Sequence, residues 1–256
     1  MYWQSYRKFS EGSRENRNMD SPHLKFSSLV MAVLLFAGCA ETPKAPPGPP
    51  PAQNLLGSTD ELQLVIELSL DLAREYGGNN VLVVLEIDGT LLTGMPGQDA
   101  DPCARPADIQ SSTMHPVQEN ASQLVQRIQD AGTKVIVLTS RGPGCRSQTF
   151  ADLRNNGFDF AAQAWPPVEG YPEPFLPAEG NRPVVYENGV FFTAGQNKGL
   201  MLKALLEKTG GPQPVLIVMA DQSRESLNEV MKEFSWSSTK VQTWRYTRGG
   251  TATTGP

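Results

Sequence analysis

The sequence predicts an α/β fold in which a parallel β-sheet lies between two layers of helices. Short, almost wholly apolar runs rich in valine, isoleucine or leucine occur at residues 81–85, 134–138 and 215–219. Runs of this length without polar alternation are typical of strands that are buried on both faces. Stretches with helical apolar spacing separate them, and strands that alternate with helices build parallel sheets.

Composition indicates a soluble globular domain with appendages. The chain has 256 residues, of which 39% are hydrophobic and 19% are charged. This length allows one good-sized domain. The formal net charge is −5 and no basic run is present, so nucleic acid is not expected as a partner.

Residues 1–39 are predicted to be an export signal. The apolar run at 29–38 follows Lys25 and is too short to span a bilayer. Small residues then precede Cys39, and this pattern resembles the cleavage box of bacterial lipoproteins. Translation from Met19 would give the signal a more usual length. The resemblance implies that Cys39 is lipidated. An ordinary secretory signal with an incidental cysteine is the alternative.

A lipid on Cys39 implies a membrane-anchored protein of the bacterial cell envelope that faces the periplasm. Ala40 stands where an aspartate would indicate retention in the inner membrane, so we expect the outer membrane. The proline-rich residues 40–57 are predicted to be a linker. Residues 58–248 are predicted to form the domain and residues 249–256 a flexible tail.

The first half of the domain has clear helix signals. Ser58 and Glu61 form a capping-box pattern, which predicts a helix from Ser58 to a pair of glycines. Pro116 predicts a second helix that ends at Gly132. The polar residues between 93 and 115 are expected to form a loop or a minimal cap.

The second half continues the same alternation. Asn188-Gly189 between two apolar runs is a strong signal for a β-hairpin. Helices are predicted at 148–156, from about 197 and at 223–234, and a last strand at 240–246.

Polar residues follow the buried strands where each one ends. Glu86 and Asp88 follow the first strand, and in a continuing extended chain both side chains point the same way. Thr139 follows the second strand and Asp221 the third. Open α/β sheets bind ligands at this edge. Because two close carboxylates repel unless a cation or a shared proton intervenes, the pair predicts a site for a hard metal such as Mg²⁺.

These residue types suit phosphoryl transfer through an aspartyl phosphate. One carboxylate attacks phosphorus, a second acid handles the proton of the leaving group, and Mg²⁺ neutralises charge. A hydroxyl group and a lysine, here Lys198 at a predicted helix start, hold the phosphate oxygens.

The order of these residues resembles the haloacid dehalogenase (HAD) superfamily. Its motifs are D-x-D-x-T, a Ser or Thr at a strand end, a lysine, and an acidic pair. The matching positions are Glu86-Ile87-Asp88-Gly89-Thr90, Thr139, Lys198 and Ala220-Asp221. The resemblance implies a HAD-like, Rossmann-type three-layer sandwich with a minimal cap and a β-hairpin insertion.

The resemblance also implies roles for individual residues. The catalytic residues would be Glu86, Asp88, Thr139 and Lys198. The Mg²⁺ ligands would be Glu86, Asp88 and Asp221. The phosphate-binding residues would be Thr90, Thr139, Ser140 and Lys198.

Two departures from the family pattern leave the activity open. Glu86 stands where the family has its nucleophilic aspartate, and the extra methylene moves the attacking oxygen by about an ångström, which can cost on the order of a hundredfold in rate. Ala220 replaces one acid of the last motif. The chain is then either a weak Mg²⁺-dependent phosphomonoester hydrolase or an inactive descendant that binds a phosphorylated small molecule or an envelope partner. A lipoprotein acid phosphatase of the related secreted families is a third hypothesis, which also needs the missing aspartate.

Each motif has a plain structural alternative. Asp221 suits the N-cap of the next helix, and Lys198 suits a solvated helix start. Thr139 and the Glu86–Asp88 turn suit ordinary strand ends.

Two cysteines remain if Cys39 carries lipid. In an oxidising compartment, Cys103 and Cys145 predict a disulfide across the mouth of the site, and two separate thiols are the alternative.

Overall fold

The computed structural model describes residues 55–94, 103 and 114–249. The predicted signal with Cys39, the linker up to residue 54, most of the predicted cap and the tail from residue 250 lie outside these residues. No helix within the described residues is long and apolar enough to cross a membrane.

The described chain alternates strands with helices. In chain order the elements are β1 (Leu55–Thr59), α1 (Leu62–Tyr76), β2 (Val81–Leu85), β3 (Leu92–Gly94), β4 (Met114–Pro116), α2 (Ala121–Asp130), β5 (Lys134–Thr139), α3 (Arg146–Asn155), β6 (Gly170–Phe175), β7 (Val184–Glu187), β8 (Val190–Phe192), α4 (Lys198–Thr209), β9 (Leu216–Asp221), α5 (Arg224–Glu233) and β10 (Lys240–Tyr246).

An eight-stranded sheet with the order β1-β10-β9-β2-β5-β8-β7-β6 forms the centre. The first six strands in this order are parallel, and β7 and β6 are antiparallel to their neighbours. The prediction of an α/β fold with a mostly parallel sheet is therefore confirmed, and it is consistent with a Rossmann-like arrangement. β3 and β4 form a separate antiparallel pair.

Helices cover both faces of the sheet because successive strand residues point to opposite sides. One core contains apolar residues of α1 and α2 together with Val83, Leu85, Val135 and Val137. The other contains apolar residues of α4 and α5 together with Leu82, Val84, Ile136 and Leu138. Burial on both faces explains why these strands are continuously apolar in sequence.

The predicted hairpin is present but belongs to the main sheet. Asn188 and Gly189 have positive φ values of 46° and 77°, as a two-residue hairpin turn requires. β8 pairs in parallel with β5, and β7 pairs with β8. The hairpin therefore continues the sheet, whereas we expected it to be an insertion.

The start of the domain also differs from the prediction. Residues 55–59, placed partly in the linker and partly in the first helix, form the edge strand β1 along β10. Gly57 permits this pairing, since a Cβ there would lie 2.6 Å from ring atoms of Trp244. The helix begins at Leu62, and Thr59 Oγ1 accepts a hydrogen bond from the amide of Glu61. The partner strand β10 lies near the other end of the domain sequence, so the residues around β1 carry no local signal for this pairing.

The second helix begins later than Pro116 predicts. Residues 114–116 pair with β3, and α2 starts at Ala121. The side chain of Gln118 accepts hydrogen bonds from the amide of Leu62 and the hydroxyl of Tyr246. This intervening segment thus connects the start of α1 with the end of β10.

The close approach of α4 and α5 depends on Gly199. A Cβ at this position would overlap the main-chain oxygen of Glu229. The same approach lets the amide of Lys198 donate to Glu229 Oε2 at 2.8 Å. Glycine at this position therefore permits the contact between the first turn of α4 and Glu229 of α5.

We predict that Gly199→Ala destabilises the protein although alanine favours helices. The overlap should cost about 1–3 kcal/mol, against a gain of about 1 kcal/mol in helix propensity. Urea unfolding measures the net loss. Gly211→Ala is the matched control, since nothing lies within 4 Å of its added Cβ. Equal stability of the two variants would contradict the claim that the contact between α4 and α5 requires glycine at position 199.

Candidate functional site

The carboxyl ends of the central strands bring the predicted site residues to one edge of the sheet. β2 lies between β5 and β9, with Leu85 in register with both Val137 and Ala220. The amide of Glu86 donates to the carbonyl oxygen of Ala220 at 3.1 Å. Glu86 and Asp221 therefore lie on neighbouring strand ends although their positions in the chain are far apart.

The ammonium group of Lys198 lies between these two carboxylates. Its Nζ contacts Glu86 Oε2 and donates to Asp221 Oδ2 at 2.5 Å. All three residues are buried, with exposed fractions of 2% for Lys198, 4% for Glu86 and 1% for Asp221. Burial acts to lower the pKa of Lys198, but the two carboxylates outweigh it and raise the pKa, so the side chain stays charged.

The side chain of Glu86 turns back on its own main chain. Its Oε1 accepts hydrogen bonds from the amides of Ile87 at 2.7 Å and Asp88 at 3.3 Å. Burial is the main cause of its raised pKa, and Lys198 opposes the shift. Both oxygens of the predicted nucleophile therefore already have donors.

Asp221 lies beside Lys198 and also hydrogen-bonds within the turn before α5, but it is not the N-cap of that helix. Its Oδ2 binds Lys198, and its Oδ1 accepts from the amide of Ser223 at 2.7 Å. The N-cap of α5 is Ser223, whose hydroxyl accepts from the amide of Ser226. Asp221 thus orders the turn into α5 while it faces the lysine.

Asp88 is held by Arg141, which sequence reasoning did not assign to the site. The guanidinium group donates through Nε at 3.0 Å and Nη2 at 2.7 Å to the two carboxylate oxygens. Its Nη1 donates to Thr149 and Asp152 of α3, each at 3.1 Å. Asp88 remains 37% exposed, whereas the side chains of Arg141 and Asp152 are buried.

Burial acts to lower the pKa of Arg141, but Asp88 and Asp152 raise it overall. The position of Arg141, two residues beyond a strand-end threonine, was the signal that could have identified it. Its partner Asp152 carries no such signal, because it is an ordinary polar residue within a helix.

The predicted phosphate-binding hydroxyl groups make hydrogen bonds within the protein. Thr90 Oγ1 accepts from the amide of Gln222 at 3.1 Å, and Thr139 Oγ1 accepts from the amide of Arg141 at 3.2 Å. Both threonines are buried, whereas Ser140 is exposed. The hydroxyl groups of Thr90 and Thr139 could donate hydrogen bonds to a phosphate only if the phosphate reached these buried side chains.

A disulfide joins Cys103 to Cys145. Cys145 immediately precedes α3, the helix that carries Thr149 and Asp152. The bridge thus attaches residue 103 to the amino end of the helix that supports Arg141.

The site is rich in carboxylates but contains no preformed metal cage. Among residues 55–94, 103 and 114–249, no three or more His, Cys, Asp or Glu side chains stand in a metal-binding arrangement. The ammonium and guanidinium groups occupy the positions beside the predicted Mg²⁺ ligands Glu86, Asp88 and Asp221.

Comparison with protein families finds a match over residues 107–253, more than half of the chain. The matching family is described as "Protein of unknown function (DUF2608)". The matched range contains Thr139, Arg141, Lys198 and Asp221, and it begins after Glu86 and Asp88. Comparison with curated proteins finds no match, and comparison with solved structures finds none either.

We predict that Lys198→Met destabilises the protein by about 3–5 kcal/mol, because it leaves two buried carboxylates without their cation. Chemical denaturation measures the loss. Lys203→Met is the control, since the Lys203–Glu233 ion pair is partly exposed and should contribute less than about 1 kcal/mol. Similar losses in both variants would mean that Lys198 is not a structural cation.

We also predict a pH-dependent difference between the wild type and Glu86→Gln. The pKa of Glu86 is raised in the folded state above its usual value of 4.5, so near that pH the folded protein retains a proton that the unfolded chain releases. Stability of the wild type should therefore fall as pH rises above 4.5, relative to the variant.

Denaturation at several pH values tests this prediction. Glu67→Gln, an exposed substitution on α1, controls for the loss of one carboxylate. Parallel stability curves for the wild type and Glu86→Gln would contradict the predicted shift.

Proposed function

The chain belongs to the DUF2608 family of proteins of unknown function, and we propose that it is a HAD-like, phosphatase-related lipoprotein of the bacterial cell envelope. Its candidate activity is weak, Mg²⁺-dependent hydrolysis of phosphomonoesters. One observation carries this proposal: the buried Lys198 bridges Glu86 and Asp221 at the carboxyl edge of the sheet. Three distant chain segments supply these groups, which suits a site that positions a phosphoryl group.

The balance of charge at this edge suits a divalent cation. Four carboxylates meet two cationic side chains there: Glu86, Asp88, Asp152 and Asp221 around Lys198 and Arg141. The excess negative charge favours a proton on Glu86 or a bound cation. Carboxylate oxygens are also the ligands that Mg²⁺ prefers.

Glu86, Asp88 and Asp221 would hold Mg²⁺, which would neutralise charge on the transferred phosphoryl group. Because both cationic side chains already contact these carboxylates, binding requires Lys198 or Arg141 to move. A dianionic substrate is disfavoured at this acidic edge without a cation. Hydrolysis should therefore depend strongly on Mg²⁺.

Each site residue has a defined task in this proposal. Glu86 attacks phosphorus, and Asp88 protonates the leaving oxygen and then accepts a proton from the water that releases phosphate. Lys198 with the hydroxyl groups of Thr90, Thr139 and Ser140 binds the phosphate oxygens.

One observation favours a second candidate, an inactive HAD descendant that binds a phosphorylated ligand or an envelope partner. Both oxygens of Glu86 accept hydrogen bonds, and Arg141 holds both oxygens of Asp88. Glu86 must break these contacts before it can attack phosphorus. This requirement slows the reaction further, in addition to the effect of its extra methylene.

We predict slow, Mg²⁺-dependent turnover of a generic aryl phosphate by the full chain. Glu86→Gln should abolish it, because the amide cannot act as the nucleophile. Glu86→Asp should raise it by about ten- to a hundredfold, and Glu86→Asp/Ala220→Asp further still, because they restore the family pattern. Glu67→Gln should leave the rate unchanged.

The outcomes separate the two candidates. A silent wild type with turnover in a reverted variant would favour the inactive descendant. Silence in all variants, with a folded protein whose stability ignores Mg²⁺, would contradict the site assignment.

A further inference from the structure

The edge of the sheet opposite the site has an unusual composition. We define the amino edge as the loops at 77–80, 131–133, 210–215 and 235–239, which precede β2, β5, β9 and β10. These loops contain no Asp, Glu, Lys, Arg or His, in a chain of which 19% of residues are charged. The carboxyl edge carries the acidic cluster of the site, so the two edges differ sharply in charge.

The four loops form one continuous surface. The amide of Val215 donates to the carbonyl oxygen of Asn80, and Thr239 Oγ1 donates to the carbonyl oxygen of Pro214. A Cβ on Gly78 would lie 2.9 Å from the carbonyl oxygen of Gly132. The uncharged residues are therefore neighbours in space, not only in composition.

Charges around this surface nearly cancel. Each of the four helices that end here has one basic and one acidic residue in its last four positions: Arg74 and Glu75, Arg127 and Asp130, Lys208 and Glu207, Lys232 and Glu233. Two strands begin nearby with Lys134 and Lys240, and the exposed Asp159 lies in the segment whose Gln163 carbonyl oxygen accepts from the amide of Val135. The surroundings thus have a small net positive charge within an acidic chain, so anionic lipid is not repelled.

Trp236 projects from the amino edge and is 99% exposed. Val215, 43% exposed, lies in the same surface. Exposure of a whole indole ring leaves a large apolar area in water. Tryptophan favours the interface between membrane and water, where its ring is partly buried and its N–H group remains hydrated.

The chain enters the domain at this same edge. β1 runs parallel to β10, with Leu55 in register with Gln242, so β1 begins beside the amino ends of the other parallel strands. Fifteen residues, 40–54, separate Leu55 from Cys39. Even fully extended they span only about 50 Å. A lipid on Cys39 would therefore hold this edge within about 50 Å of the membrane.

We propose that the amino edge faces the bilayer surface and that Trp236 inserts into its headgroup layer, so that the carboxyl-edge site faces away from the membrane. The inference depends on the lipid anchor of the proposed function but not on phosphatase activity. Uncharged loops make such contact insensitive to salt.

The test uses vesicles of ordinary or acyl-brominated phosphatidylcholine, because bromine quenches indole fluorescence at close range. Cys39, the cysteine outside the Cys103–Cys145 bridge, is coupled to a maleimide lipid in the vesicles. The chain is then anchored whether or not a cell lipidates it. All variants carry Trp3→Phe, and the emission lost in Trp236→Phe defines the contribution of Trp236.

Brominated lipid should remove about half or more of the Trp236 contribution, at low and high salt, as expected for an indole at headgroup depth. The matched control is Leu64→Trp in the Trp236→Phe background. Leu64 is 55% exposed in the first turn of α1, at the carboxyl edge. The tryptophan introduced there should lose little emission.

Equal emission of Trp236 in both lipids would overturn the proposal and leave the amino edge to a protein partner. Equal quenching at positions 64 and 236 would also overturn it, since the domain would then have no preferred orientation. Mass spectrometry of the chain from bacterial membranes reports the lipid on Cys39 separately. Failure of the anchor or of the phosphatase assay is thus distinguishable from failure of this orientation.

Discussion

The buried ammonium of Lys198 is the constraint on which the candidate site depends. β2 and β9 are adjacent, so their carboxyl ends place Glu86 and Asp221 together in a space closed to water. Burying two carboxylates side by side is costly unless a cation joins them. Lys198 supplies that cation from the first residue of α4, and its amide also binds Glu229 of α5. The ion pair therefore fixes where α4 begins as well as the charge of the site.

Arg141 has the corresponding role on the other side of β2. It holds Asp88 with two hydrogen bonds and reaches α3 through Thr149 and Asp152. The two cationic side chains thus satisfy the acidic residues of the edge within the protein itself. This explains how four carboxylates can meet at one edge of a stable fold. It also means that chemistry at the site requires rearrangement of existing ion pairs.

The fold places the charged candidate site and the uncharged amino edge at opposite ends of the parallel strands. Strand ends at the carboxyl edge carry the charged residues, whereas the loops of the amino edge carry none. Parallel strands produce this division because all their amino ends lie on one side. The chain entry at Leu55 lies on the uncharged side, opposite the candidate site.

Local sequence determined the buried strands β2, β5 and β9, the hairpin and the order of the polar positions. Continuous apolar runs identified β2, β5 and β9 closely, and Asn188-Gly189 identified the turn between β7 and β8, because these signals act between near neighbours. Only the tertiary structure decided that β1 joins the sheet and that the hairpin extends it. It also decided the ionic partners, since 53 residues separate Arg141 from Asp88 and 112 separate Lys198 from Glu86. Side-chain contacts over such separations depend on how the strands pack, which no local pattern specifies.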